Sequence, residues 1–492
     1  MPITWKSGTV LFSAIVGSIV GAKKLIYGSG NSITSPNSEK VTLARSDSSV
    51  EHAEPTEENK ESFREAQKFL ATEPYSSATY ADLPESTYSN NNLISEEERQ
   101  KRIAQAEKIH KVLNDYTFKL VHPCSFGTGW ILDYELPKEG EKYPTTWYFG
   151  TAAHVVDKWR FVENPYGQIL PVSEEATKSL RALKHKRQFN WSGVGLLSMK
   201  GCSANIRQGY FDIAIIRQDS DFNYKSDLGL LHNKKIKEPK LFYAPINFLN
   251  EDSSLDVEAE QQRDFAIIEI EFTDEEIARK VTNNFATKYP VESKEALNFF
   301  APSLTEKYTE EALNKSEEDF YHLGYPGGAG DKWKYTTTFN PNTGRGLRLS
   351  DDERYLVSDK DKKRIRGLAN SYRVFDMSWE KGKKRIQVGN HYVMKSDSWG
   401  YRLRGGASGS MIVDKDGNVL GLLEGSGQLG DLQSFWTPLR QSKIEGRERG
   451  DLRSPKYDFI LGAEGQKNSY KEQVEKYNKN TWLRKRGWAH KT

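Results

Sequence analysis

Polar and apolar positions change rhythm several times along this chain of 492 residues. Gly8 to Ala22 is an uncharged, mostly apolar run flanked by Lys6 and by Lys23 and Lys24. It is shorter than the about 20 residues a membrane-spanning helix needs. It has the length of a signal-peptide core, with Val20-Gly21-Ala22 as a cleavage site. Residues 1–27 are therefore predicted to be a signal peptide or an N-terminal membrane anchor. Residues 28–94 are rich in Ser, Asn, Glu, Thr and Pro and hold too few large apolar residues to offset the entropy of ordering, which predicts a disordered tether. Ser95 followed by Glu98 has capping-box spacing and opens a charged helix over 95–114. Its apolar residues Ile103, Ala106, Ile109 and Leu113 form a thin stripe suited to docking on a folded body.

From 115 onward, short alternating segments dominate: Phe126–Leu132, Trp147–Ala152, Val194–Ser198, Phe211–Ile216, Lys240–Ala244 and Phe265–Phe272. Turn-forming residues separate many of them, the pattern of an antiparallel barrel. A helical stretch follows over 274–319, and strands resume at Phe320–Pro326 and run to about Leu461. The predicted fold is mainly β: two antiparallel barrels with helical insertions, the first over 115–273 and the second over 320–470. Residues 471–492, basic and aromatic around Trp482 and Trp488, read as a flexible, solvated tail open to a membrane or an acidic partner.

Composition changes this picture little. A formal net charge of +3 gives no global argument for nucleic acid. Two cysteines, Cys124 and Cys202, are too few for a disulfide framework and read as unpaired thiols. There is no His-Glu-x-x-His and no Cys/His cluster, so no metal and no organic cofactor is implied. Gly327–Gly330 lacks the Lys-Ser/Thr of a phosphate loop and reads as a plain loop, and the basic run Lys360–Arg366 reads as a solvated one.

The candidate chemistry lies in two stretches. Arg404-Gly-Gly-Ala-Ser-Gly-Ser410 sets Ser408 among small residues and leads into an apolar strand, an Asp-Lys-Asp-Gly-Asn turn and a second apolar strand ending at Glu424. Such a turn lets the backbone curl until the N–H of Ser408 and that of Gly406, two residues before it, face a developing oxyanion. Upstream, Phe149-Gly-Thr-Ala-Ala-His154 places a histidine just after an apolar strand, a candidate general base; His122, before Pro123, reads as structural. A buried carboxylate is needed to orient the imidazole. Asp212 and Asp264 compete, each opening an apolar strand.

Thr151-Ala-Ala-His154, Asp-(Ile/Phe)-Ala-Ile-Ile and Gly406-Ala-Ser-Gly-Ser410, in this order, resemble the chymotrypsin-fold serine peptidases, and Gly127-Thr-Gly129 fits their glycine-rich first strand. Phe126–Asp133, Tyr143–Trp147, Leu241–Leu249 before Asp264–Glu269, Tyr457–Gly462 and Gln466–Tyr470 resemble more specifically the surface peptidases of mycoplasmas, the family of the Mycoplasma immunoglobulin protease, over roughly residues 115 to 485. The resemblance favours Asp264, which precedes the last strand of the first barrel, with Asp212 as the alternative acid. It implies a surface or secreted serine endopeptidase that cleaves host immunoglobulin heavy chain, delivered by an antibody-binding surface protein. It also puts Arg402 at a specificity position. Two departures stand out: Ala407 replaces the aspartate with which digestive peptidases bind a newly cut N-terminus, and Ser410 stands where a glycine is usual. The rival readings are a catalytically silent peptidase fold that grips antibody, a quality-control peptidase and a structural surface protein.

Overall fold

The computed structural model describes residues 95–122, 125–157, 159, 161, 164–168, 170, 214–216, 235–249, 260–309, 312, 318–326, 336–337, 346–349, 368–369, 373–379, 382–388, 391–396, 405–426, 433–444 and 455–491. The expected signal or anchor, tether, both cysteines, Val194–Ser198, Asp212, Gly327–Gly330, Lys360–Arg366 and Arg402 lie outside them. Among the described residues, no helix is long and apolar enough to cross a membrane.

The body opens with helix α1 (Glu96–Tyr116), whose N-cap Ser95 accepts a hydrogen bond from the Glu98 N–H and whose first turn carries Glu96, Glu97 and Glu98 against the helix dipole. Its buried residues Ala106, Ile109, Leu113 and Tyr116 form the expected stripe. One turn before that stripe, on the same face, Arg102 reaches Asp319 at 2.9 Å.

Next come strands β1 (Thr117–His122), β2 (Ser125–Tyr134), β3 (Thr146–Thr151), β4 (Ala214–Ile216), β5 (Lys240–Tyr243), β6 (Glu260–Gln262) and β7 (Ala266–Glu271), with a single helical turn α2 (Ala153–Val156) after β3. Six of these strands form one antiparallel sheet in the order β4-β1-β2-β3-β7-β5. The connection to the second half carries three short helices, α3 (Glu275–Val281), α4 (Phe285–Lys288) and α5 (Leu304–Lys307), the last closed by a complete capping box from Ser303 and Glu306.

The second half contains β8 (Tyr321–Gly324), β9 (Thr336–Thr337), β10 (Leu347–Leu349), β11 (Leu368–Ala369), β12 (Arg373–Trp379), β13 (Gly382–Val388), β14 (His391–Ser396), β15 (Met411–Val413), β16 (Val419–Ser426), β17 (Gln433–Pro438), β18 (Arg440–Gln441) and β19 (Tyr457–Asp458). Its main sheet runs β10-β14-β17-β16-β15-β8-β9. A bridge with two hydrogen bonds joins Phe320, just before β8, to Leu347 in β10, so the two sides of this sheet meet. No bridge joins the ends of the first sheet among the described residues. The β12–β13 hairpin pairs in parallel with β6. That hairpin, with β9, β10, β11 and β14, makes up the described strands of the long insertion between Asp331 and Trp399.

Side-chain alternation, broken in β16 by a bulge at Leu420, explains how the halves pack. Ile412, Leu420, Leu423, Trp436, Tyr392 and Met394 point into a core of the second sheet. Met411, Val413, Val419 and Leu422, from the same strands, join the large core that includes the first sheet and α1. Both faces of the second sheet are thus buried, and the strands read as apolar runs because of it.

The chain closes with α6 (Tyr470–Lys476) and α7 (Trp482–Lys485). This corrects the reading of 471–492 as a solvated tail. Trp482 and Leu483 are buried, the Trp482 ring stacks on Tyr134, and the Arg486 guanidinium lies over the Trp482 ring while donating to the Val291 and Ser293 carbonyls. The basic charge had suggested solvation, whereas the aromatic residues decide the packing.

Asp133, wholly buried in β2, ties this end down: Oδ1 accepts from the Tyr134 and Leu483 N–H groups, and Oδ2 from the Tyr470 hydroxyl. Burial pushes its carboxyl up to about 7, against the hydrogen bonds from Thr481, Leu483, Tyr134 and Tyr470. Because the folded state holds the proton more tightly than an unfolded aspartate, this stability contribution is full below about 3.8 and lost as pH rises through about 7. Asp133→Ala strands the buried donors and is expected to cost about 2–4 kcal/mol in urea unfolding. Asp133→Asn is expected to cost less and to flatten the pH dependence of stability between these limits.

Candidate active site

Strand β3 delivers His154. It is buried along nearly its whole length, ends at Thr151, and passes through Ala152 into α2, where Val155 and Val156 face the core and His154 faces out. Gly127 of β2 makes room for this turn: a Cβ there would sit 2.5 Å from both Val155 methyls. Antiparallel pairing of β3 with β7 sets Thr151 opposite Ala266. Continuing that register past the strand ends brings Asp264 beside His154.

The contact is double. Asp264 Oδ1 accepts from the His154 backbone N–H at 3.0 Å, and Oδ2 lies 2.6 Å from the ring Nδ1. Asp264 is nearly buried, while the His154 side chain keeps 38% exposure. With Nδ1 held by the carboxylate, Nε2 is the nitrogen left for other chemistry. Burial opposes charge on this imidazole, yet the Asp264 charge and hydrogen bond outweigh it, helped by Asp157 and Glu424, and the ring is pushed up to about 9.

Ser408 sits on the turn before β15. Gly406 and Gly409 adopt φ of +98° and +90°, the left-handed region that favours glycine. At Gly409 space adds to the requirement, since a Cβ would meet the Thr128 carbonyl oxygen at 2.0 Å and the Ala152 nitrogen at 3.1 Å. The serine turn therefore packs directly on the end of the strand that delivers His154. The Ser408 hydroxyl donates to the Glu424 carbonyl at 3.4 Å.

Thr128 of β2, wholly buried, fixes this approach. Its N–H donates to the Ser408 carbonyl at 2.8 Å, and its hydroxyl donates to the Gly406 carbonyl at 3.0 Å while accepting from the Tyr325 N–H at 2.9 Å. Its own carbonyl accepts from the Thr151 hydroxyl at 2.7 Å. Ser410, in the place usually held by glycine, is buried; its hydroxyl donates to the Ala407 carbonyl and packs over Gly324, whose missing Cβ leaves the room. The Asp-Lys-Asp-Gly-Asn segment forms the expected turn between β15 and β16, with Asp414 accepting from the Asp416 and Asn418 N–H groups and Gly417 at φ +77°.

The fold thus brings His154 and Asp264 into contact and sets the Ser408 turn against Thr151 and Ala152. Sequence reasoning passed over Thr128 as a functional residue, although its place between Gly127 and Gly129 was the available signal. It passed over Glu424 as well, read only as the end of a strand. Among the described residues no cluster of three or more His, Cys, Asp or Glu is placed to hold a metal.

Three solved structures are similar to the chain. That of the mycoplasma MIB and MIP proteins is 17% identical with a TM-score of 0.45, covering 74% of this chain and 60% of that one. The active form of the Rv3671c protease from M. tuberculosis is 12% identical with a TM-score of 0.26, covering 72% and 89%. The HtrA-type protease AlgW with a tripeptide is 11% identical with a TM-score of 0.26, covering 68% and 59%. At this distance none of them fixes the fold or the chemistry. No curated protein matches. The model of the family described as Mycoplasma immunoglobulin protease, in contrast, matches residues 77–425, more than half of the chain and inclusive of His154, Asp264 and Ser408. The chain belongs to the Mycoplasma immunoglobulin protease family.

Proposed function

We propose that the chain is a serine endopeptidase in which Ser408 is the nucleophile, His154 the general base and Asp264 the carboxylate that orients it. The observation carrying this reading is the double contact of Asp264 with the backbone and ring of His154. A carboxylate that only capped a turn would need no ring contact. Ser408 attacks a peptide carbonyl as His154 Nε2 takes its proton, and the imidazolium then donates that proton to the leaving amine. Water repeats the sequence on the acyl-enzyme and frees the serine. The N–H groups of Gly406 and Ser408 form the oxyanion hole, where one donor is worth roughly 3–4 kcal/mol.

The two-barrel architecture belongs to the same reading, with the first barrel supplying His154 and Asp264 and the second Ser408. The bridge from Phe320 to Leu347, joining the sides of the second sheet, supports closure of that half. The proposed substrate is host immunoglobulin, on the strength of the family's description, and the proposed place of action is the mycoplasma surface, as an anchored or secreted protein. Delivery of the substrate by an antibody-binding surface protein, anchoring through residues 1–27 and a specificity role for Arg402 are part of this proposal.

Labelling by a fluorophosphonate probe tests the nucleophile without assuming a substrate. Wild-type protein is expected to label and Ser408→Ala not to; a folded wild type that stays unlabelled would make the chain a binding module instead. The acid also has a signature. The neutral imidazole is the active base, so the rate rises with pH along a limb displaced above the ordinary 6.5 toward about 9. Asp264→Asn is expected to lower turnover about 10⁴-fold and to move that limb to lower pH, because the charge that raises the imidazole is gone. A limb that stays in place would exclude Asp264 from the role and return attention to Asp212.

A further inference from the structure

One more carboxylate reaches the site. The pairing of β16 with β17 slips between Leu423 and Gly425, leaving Glu424 as the extra residue of a β-bulge. Bulges re-aim a side chain and break the in–out alternation of a strand. Here the backbone carbonyl of Glu424 accepts from the Ser408 hydroxyl at 3.4 Å. The Glu424 side chain, 13% exposed, is clamped from two other strands. Its Oε2 accepts from the Thr437 hydroxyl of β17 at 3.0 Å and pairs with Nε2 of His391 on β14. His391 is buried, and its ring packs edge-on against Phe435.

The charged groups around this point form one electrostatic set. His154 feels Asp264 from the loop before β7, Asp157 just beyond its own helical turn, and Glu424 from β16. Arg263, buried next to Asp264 between the rings of Phe248 and Tyr457, also feels Glu424. A carboxylate that merely stapled β14 to β17 would need only His391 and Thr437. Glu424 in addition holds Ser408 through its main chain and lies within the field of His154.

We propose that Glu424 is a positioning residue of the site: its bulge presents the carbonyl that holds Ser408, and its clamped carboxylate supports the positive charge that His154 acquires when it takes the serine proton. This proposal rests on the Ser408–His154–Asp264 reading. Asp264 orients the ring from the Nδ1 side, and Glu424, from the second half of the chain, adds its charge to those of Asp264 and Asp157. Proton movement itself stays between Ser408 and His154.

The test is the rate of Ser408 labelling by a fluorophosphonate from pH 5 to 10, on the full chain, for wild type, Glu424→Gln and Glu424→Asp, with circular dichroism to verify folding. Glu424→Gln keeps the shape and an acceptor for Thr437 but removes the charge. It is expected to move the acid limb to lower pH and to lower the plateau rate about tenfold or more. Glu424→Asp restores the charge, so its limb is expected back at the wild-type position while the shortened side chain keeps the plateau low. A Glu424→Gln protein that is folded and whose profile overlays wild type would overturn the proposal and leave the triad standing, because wild type would still label with its own pH dependence. If Glu424→Gln does not fold, Glu424→Asp decides: a reduced plateau with an unmoved limb supports positioning, and an unchanged plateau overturns it. A wild type that labels at no pH removes the catalytic reading, and this inference with it.

Discussion

The candidate site depends on one residue that performs no chemistry. Thr128 uses its N–H, its hydroxyl in both directions and its carbonyl in hydrogen bonds that tie β2 to the serine turn, to Tyr325 and to Thr151. The histidine belongs to one sheet and the serine to the other, so their relative placement is only as firm as this seam. Every partner is neutral, and all but the half-buried Ser408 are buried. Leaving any of them unpaired costs more than the bond contributes when made, which favours a single arrangement of the seam. Gly409 enforces the same closeness by having no Cβ to fend off the Thr128 carbonyl.

Charge is handled differently from polarity here. Around the seam lie two carboxylate–imidazole pairs, Asp264 with His154 and Glu424 with His391, and one buried guanidinium, Arg263. Buried ions are expensive, and pairs of them seldom stabilise a fold relative to apolar residues of similar size. Their gathering beside the Ser408 turn is therefore not a requirement of stability, and it suits the function proposed for the site. The network that holds the Lys479 ammonium against Glu135 and Glu269, by contrast, is remote from His154 and serves packing.

His154 and Ser408 could be read from the sequence because each sits in a stretch of small residues that would be wasteful anywhere else. Asp264 is preferred to Asp212 through the resemblance to chymotrypsin-fold peptidases, because one aspartate before an apolar strand looks locally like another; only the register of β3 with β7 sets it beside His154. The strands of both halves were legible from alternation and turn residues. Glu424 was not, because a bulge is a fault in alternation and leaves no periodic trace. The terminal helices were misjudged for another reason. Four Lys and Arg residues lie around Trp482 and Trp488 between 484 and 491, and their charge suggested solvation although the two indoles decide the packing. The Asp133 side chain that receives those helices lies more than three hundred residues away, beyond any local pattern.

That long reach has a consequence for biosynthesis. Thr481 bridges to Glu135, and the Leu136 N–H donates to the Asn480 carbonyl, so the residues leading into α7 clasp the end of β2, an inner strand of the first sheet. A ribosome makes this sheet well before its clasp. Until those residues are made, β2, which pairs with the strand that leads to His154, lacks this buttress. The first sheet therefore gains its clasp only after more than three hundred further residues have been added, and the two parts must find each other across that separation.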